Sequence, residues 1–214
     1  MEPWETPVRI EIVVFDGFDE LDALGPFEVL KNAAAAGADF SVSLASWSEK
    51  TEVVGAHGLR LAAEVGISAG TPPDLVIVPG GGWIGRSPIG ARAEVERGVI
   101  PSRLAELHRA GTTIATVCTG GMLLAATGLL RGRAAITHHG AVDDLRAAGA
   151  EVVLARVVDD GEFVTCGGVT SGLDLALWLV ERFAGPVVAH AVECEMEYER
   201  RGVVWRIPAN GKVS

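Results

Sequence analysis

The side chain best placed for covalent chemistry is the thiol of Cys118. Ahead of it, Thr113-Ile114-Ala115-Thr116-Val117 is a β-branched, apolar run that reads as a buried parallel strand; behind it, Thr119-Gly120-Gly121 opens a helix over Met122 to Ala126. A thiol on so sharp a strand-to-helix turn faces backbone N–H groups and the positive end of a helix dipole, which favours thiolate over thiol. The expected chemistry is nucleophilic. The competing reading is a small buried hydrophobe, since free cysteine is among the most buried residue types. Glycines directly after the strand weigh against it.

A nucleophile needs a partner that moves protons. The segment after the first expected strand holds Asp16, Asp19, Glu20 and Asp22. Only Asp22 is followed at once by the apolar pair Ala23-Leu24 and by a helix start at Gly25-Pro26, so it is the one expected to point inward. A carboxyl in a dry pocket beside a thiol has a raised pKa and can stay protonated as an acid. Four solvated loop charges are the alternative. Gly80-Gly81-Gly82 follows another apolar strand, lacks the Gly-Lys-Ser/Thr ending of a P-loop and does not have the spacing of a dinucleotide fingerprint. Gly81 and Gly82 are instead candidates for backbone donors of an oxyanion hole, with a plain tight turn as the alternative.

Trp83, next to that turn, is a candidate pocket wall. His138 and His139 are adjacent, so in an extended segment they point to opposite faces and make no chelating pair; no metal site is expected. One of them could still reach Cys118 as a base or hydrogen-bond partner. His57, His108 and His190 stand alone and read as structural, as do Trp47, Trp178 and Trp205. Cys118, Cys166 and Cys194 are odd in number, far apart and outside any CxxC spacing, so neither a disulfide framework nor a zinc site is expected.

These residues need strands and helices to hold them. Strands are expected at Val8 to Phe15, Phe40 to Ser46, Asp74 to Val78, Thr113 to Val117 and Ala134 to Thr137. Hairpins are expected at Glu52 to Ala63, around His57-Gly58 at a sheet edge, and at Glu151 to Cys166, turning at Asp160-Gly161. Helices are expected from Pro26 to Ala36, and at Ala91 to Gly98, Ser102 to Ala110, His139 to Ala148, Gly172 to Arg182 and Val187 to Arg200. Strands alternating with helices predict an α/β fold: a mostly parallel sheet covered on both faces, with sites at the carboxyl ends of its strands.

With 214 residues and 49% apolar content the chain is expected to form a single domain, its core about 8–200 and a short polar tail from 203. The net charge of −10, without a basic cluster, argues against nucleic acid or an anionic membrane as partner. Met1 to Pro7 is polar and no apolar run reaches membrane-spanning length, so neither a signal peptide nor an anchor is expected and the chain is placed in the cytoplasm.

Several motifs together resemble the DJ-1/PfpI superfamily: Asp22-Ala23-Leu24-Gly25-Pro26-Phe27-Glu28-Val29, Val78-Pro79-Gly80-Gly81, Val117-Cys118-Thr119-Gly120, Thr137-His138 and Gly167-Gly168-Val169-Thr170-Ser171-Gly172-Leu173-Asp174, in that order. The likeness runs from Val8 to about Glu195. It implies a flavodoxin-like α/β sandwich, a homodimer, a nucleophilic Cys118 on a strained elbow with Asp22 beside it, Gly81 at the oxyanion-hole position, His138 near the cysteine and Thr170 near the pocket. Within the superfamily the chain resembles the isonitrile hydratase branch and the amino-terminal domain of AraC-type regulators, both with Cys-Thr-Gly at the elbow. The protease branch has His where this chain has Thr119. His139 stands where the hydratase branch commonly has Trp. The acidic stretch after Gly185 leaves no room for a helix-turn-helix pair.

The resemblance implies a cofactor-free hydratase that takes a small-molecule isonitrile to an N-substituted formamide, with Cys118, Asp22 and Thr119 catalytic. Two alternatives stand beside it: a non-catalytic sensor whose Cys118 is oxidised, and glyoxalase or amidase chemistry on the same thiol.

Overall fold

The computed structural model describes residues 6–48, 50–65 and 71–207. Met1 to Glu5 and the end of the expected tail, from Pro208, lie outside the described residues. The central sheet is built from β1 (Val8–Val13), β2 (Phe40–Ser46), β5 (Glu64–Val65), β6 (Leu75–Val78), β7 (Thr113–Thr116), β10 (Val157–Asp159), β11 (Phe163–Cys166) and β12 (Trp205–Arg206). Its order is β12-β10-β11-β7-β6-β1-β2-β5. All neighbours pair in parallel except β10 and β11, which form an antiparallel hairpin. Ile10, Ile12, Leu75, Ile77, Ile114 and Phe163 are fully buried in it, as expected of strands covered on both faces.

Two small pairs sit outside this sheet: antiparallel β3 (Glu52–Val54) and β4 (Arg60–Ala62), and parallel β8 (Ala134–Ala135) and β9 (Glu151–Val152). On one face of the sheet α1 (Glu20–Ala35), α6 (Ser171–Ala184) and α7 (Pro186–Glu195) pack together. On the other lie α2 (Ala91–Arg97), α3 (Val99–Arg109), α4 (Gly120–Ala125) and α5 (Val142–Ala147). This is the mostly parallel, doubly covered α/β architecture read from the sequence. No helix among the described residues is long and apolar enough to cross a membrane.

Several elements differ from expectation: the hairpin around His57-Gly58 forms its own two-stranded sheet instead of a sheet edge, the helix expected from His139 begins at Val142 after a 3-10 turn, and four further differences have physical causes. The first helix starts at Glu20, not at Pro26, which lies inside it. Glu20 and Asp22 in the first turn suit the positive end of the helix, and the Pro26 ring lies where α1 meets Gly172 at the start of α6. Asp22 is therefore a helical residue with a fixed direction, rather than part of a loop. The last helix stops at Glu195 rather than Arg200: Glu197 has φ 47°, and Asp174 draws the following chain away through the Tyr198 hydroxyl and the Arg201 amide. The hairpin expected over Glu151 to Cys166 is confined to β10 and β11, because Glu151 and Val152 pair with β8. Part of the expected tail is a strand, since Trp205 pairs with Val158 and packs against Ala134 and Ile136.

Candidate functional site

The site forms where β1, β6, β7 and β11 end together. After β7 the chain reverses into α4, and Cys118, at the reversal, has φ 56°. A left-handed conformation costs a non-glycine residue about 1–2 kcal/mol, so the surroundings must hold it. The Cys118 amide donates to Gly167 O at 3.0 Å, and its carbonyl accepts from the Thr137 hydroxyl at 2.7 Å. Gly120 lets the start of α4 lie against the end of β6, because a Cβ there would strike the Val78 and Pro79 carbonyls. The cysteine is only 5% exposed.

Of the four acids after β1, Asp16 pairs with Lys50, Glu20 is bonded to His57, and only Asp22 is fully buried. Asp22 Oδ2 accepts the Gly80 amide at 3.0 Å, whereas Oδ1 has no hydrogen-bond partner. Burial first, and the charge of Asp19 second, push the carboxyl up to about 7, against the opposing pull of the Gly80 amide and the Cys118 thiol. Cys118 is pushed up to about 12 by burial and by the negative charge of Asp22, while the Val169 and Thr119 amides pull it down. The expectation that the elbow favours thiolate therefore fails in the resting site. The helix behind the sulfur is only six residues long, and burial next to a carboxyl outweighs its amides. Each ionisation opposes the other, so near neutral pH the pair carries at most one negative charge.

Thr119 is buried, and its hydroxyl oxygen accepts the Gly81 amide at 2.9 Å, leaving the hydroxyl proton for another acceptor. Gly81, at φ 121°, fits so tightly that a Cβ would strike Gly17 O and the Asp19 amide. Its N–H is engaged by the Thr119 hydroxyl on the elbow and does not stand open as an oxyanion donor. Gly82, at φ 70°, lies against Ile89 O and joins the same loop to the next. The amides that face the sulfur belong to Thr119 and Val169.

The histidine pair also departs from expectation. The His138 and His139 ring centroids are 4.1 Å apart, because His138 leads into a 3-10 turn at His139–Ala141 instead of an extended segment. His138 Nδ1 accepts the Gly140 amide at 3.1 Å, so the neutral ring carries its proton on Nε2. Burial, then His139, lower its pKa. No hydrogen bond among the described residues joins it to Cys118. Trp83 is buried, donates its indole N–H to Asp144 at 2.7 Å and lies under the Arg92 guanidinium at 4.2 Å. Thr170 is exposed and accepts from Arg156, which ties it to the Arg156–Asp174 pair. His57 does not stand alone: its Nδ1 is 2.6 Å from Glu20 Oε2, which raises the His57 pKa. Asp19, Glu20 and His57 are the one group of three metal-ligating side chains found together among the described residues.

Three contributors escaped the reading of the sequence: the Gly80 amide on Asp22, the Val169 amide at the sulfur and the Thr137 hydroxyl on the elbow. A signal for Val169 existed, since Gly167-Gly168 follows a strand and precedes a helix just as a glycine turn surrounds Cys118. Val169 itself has φ 31°.

Residues 8–182 match the DJ-1/PfpI family. Over 191 residues the chain is 34% identical to an isonitrile hydratase of Pseudomonas putida, covering 89% of this chain and 78% of that one. A deglycase of Pyrococcus horikoshii is 28% identical over 176 residues, 81% of this chain and 96% of that one. The fold is shared with an AraC family transcriptional regulator from Pseudomonas putida, at a TM-score of 0.72 and 23% identity, covering 89% of this chain and 100% of that one. With the elbow cysteine, the carboxyl beside it and a match spanning most of the length, the chain belongs to the DJ-1/PfpI family.

Proposed function

We propose that the protein is a cofactor-free isonitrile hydratase-like enzyme that converts a small isonitrile to an N-substituted formamide. The observation that carries the reading is a thiol on the elbow next to a buried carboxyl with one unpartnered oxygen, in a chain 34% identical to an isonitrile hydratase. The Cys118 sulfur adds to the terminal isonitrile carbon as that carbon takes the proton held by the Asp22–Cys118 pair, giving a thioimidate, R–N=CH–S. Water then adds its oxygen to the carbon and a proton to the nitrogen. The carbon–sulfur bond breaks, the hydroxyl proton returns to the pair, and R–NH–CHO leaves. The sum is isonitrile plus water, with no oxidation or reduction. The Thr119 and Val169 amides stabilise charge on the sulfur, and the Thr119 hydroxyl proton orients the water.

Chemistry on an aldehyde at the same thiol is the second reading, favoured by the likeness to a deglycase. The free thiols of Cys118, Cys166 and Cys194 suit a reducing, cytoplasmic setting. A homodimer belongs to the proposal through the family resemblance. Assay of the purified protein against an alkyl isonitrile and a 2-oxoaldehyde tests the reading. Formamide should appear with the isonitrile and fall to background in Cys118→Ala of unchanged circular dichroism. Turnover of the oxoaldehyde alone would move the second reading ahead, and activity surviving in the variant would end both.

A further inference from the structure

A cavity of about 190 Å³ lies behind the loop that leads from β1 to α1, walled by Val14, Phe15, Trp47, Val53, Val99 and Ile100. Cys118, Asp22, Thr119, Gly80 and Gly81 take no part in it, so it is separate from the candidate active site. Its inner walls are buried, Val14 and Val53 at 1% exposed and Phe15 and Ile100 little more, whereas Val99, 49% exposed, and the half-buried Trp47 form its mouth. Every polar group that borders it is already engaged. Asp16 is paired with Lys50, Glu94 with Arg97, and the Ser46 and Ser48 hydroxyls bond each other at 2.9 Å. The unpartnered buried polar atoms among the described residues, on Asp22, Thr116 and Arg200, lie on none of its walls.

We infer that this cavity is a binding site for a neutral, ring-sized hydrocarbon group. Ordered water needs two to four polar partners, and the inner walls, Val14, Phe15, Val53 and Ile100, offer no polar side chain. An apolar cavity of about 150 Å³ is large enough to stay dry and take benzene. The two acids at the rim are each neutralised by a cation, so neither an anion nor a cation gains from entering. Access leads from an open depression lined by Asp16, Lys50, Thr51, Glu52, Val54 and Ile89, which shares Asp16 and Lys50 with the cavity. The Lys50 side chain is 61% exposed, and an ion pair in contact with water separates readily. Lys50 thus stands at the mouth, where it can swing aside without disturbing the fold.

The test is a titration of the full chain, methyl-labelled at Val and Ile, with benzene as probe. Saturable shifts should appear at the methyls of Val14, Val53, Val99 and Ile100 and be absent from the exposed Val187 and Val203. Val53→Phe, which fills the space, should abolish the shifts at Val14 and Ile100. Should that variant fail to fold, a crystal of the wild-type chain pressurised with xenon reads the same space, and xenon should occupy it. No saturable shift, shifts of equal size at Val187 and Val203, or ordered water in place of xenon would each overturn the inference.

Discussion

Asp22 and Asp174 are both fully buried, yet they are treated in opposite ways. Asp174, near the start of α6, accepts Arg156 Nε at 2.7 Å and Nη2 at 2.5 Å, the Tyr198 hydroxyl at 3.2 Å and the Arg201 amide at 2.6 Å. Asp22, near the start of α1, has the Gly80 amide on one oxygen and, apart from the neighbouring Cys118 thiol, no donor for the other. Leaving a carboxylate buried and unpaired is expensive, and such a group holds on to its proton instead. Asp174 ties the chain after α7 to the domain. Asp22 holds its proton beside a thiol, and in the proposed mechanism the incomplete set of partners is what lets it act as the acid.

Substitution can break this contrast. The largest effect is expected on turnover. Asp22→Asn removes the proton carrier and should lower kcat by about 10²- to 10⁴-fold, the usual worth of a positioned general acid. The same variant should be more stable than wild type at alkaline pH. The folded-state pKa of Asp22, about 7, lies above its ordinary 3.8, so the native state holds the extra proton and wild-type stability falls as pH rises between those values. Denaturant unfolding at pH 4 and pH 8 should show the variant pulling ahead by at most ~4 kcal/mol, and equal slopes for the two proteins would contradict the shift.

Asp174→Ala should do the reverse. Leaving Arg156 and the Tyr198 hydroxyl without their acceptor is expected to cost about 3 kcal/mol, at the low end for a broken buried pair because Arg156 keeps some contact with water. Activity per folded molecule should hardly change. A variant that keeps wild-type stability but loses turnover would collapse the distinction between the two aspartates. Thr119→Val is the smallest of the three. It removes the hydroxyl that accepts the Gly81 amide, and a loss of about tenfold in kcat/KM is expected, equivalent to one ordinary hydrogen bond. Steady-state kinetics at several pH values would check it, the pH profile keeping its wild-type shape.

The fold was legible wherever neighbouring residues decide the outcome. Phe40–Ser46 is a strand over its expected range, and the β-branched run before Cys118 followed by two glycines marked the elbow. Pro26 misled because its ordinary place is the first turn of a helix, while here six helical residues precede it. Trp205–Arg206 escaped because two residues become a strand only when β10 is there to pair with them. At the site, the identities of Cys118, Asp22 and Thr119 were readable as candidates. So was the raised pKa of Asp22, whereas the protonated resting state of the Cys118 thiol was not. The resting thiol depends on its burial and on Asp22, some hundred positions away in the chain, and the backbone donor to Asp22 is the Gly80 amide, brought there by the end of β6. The close, tilted pairing of His138 and His139 likewise depends on a turn that their own types do not announce.

The central claim is that Asp22 and Cys118 titrate as one coupled pair. The pH dependence of iodoacetamide alkylation at Cys118, measured in wild type and in Asp22→Asn, tests it most directly. In wild type the rate should rise first near pH 7, as the pair loses its first proton and some of the remaining proton resides on the carboxyl, and should rise again toward pH 12. Asp22→Asn should lack the step near pH 7 and show a single rise at a pH below the second wild-type step, because the negative charge that raised the thiol is gone. Superimposable profiles would mean that the two groups are independent, and the proton source assigned to the reaction would be lost.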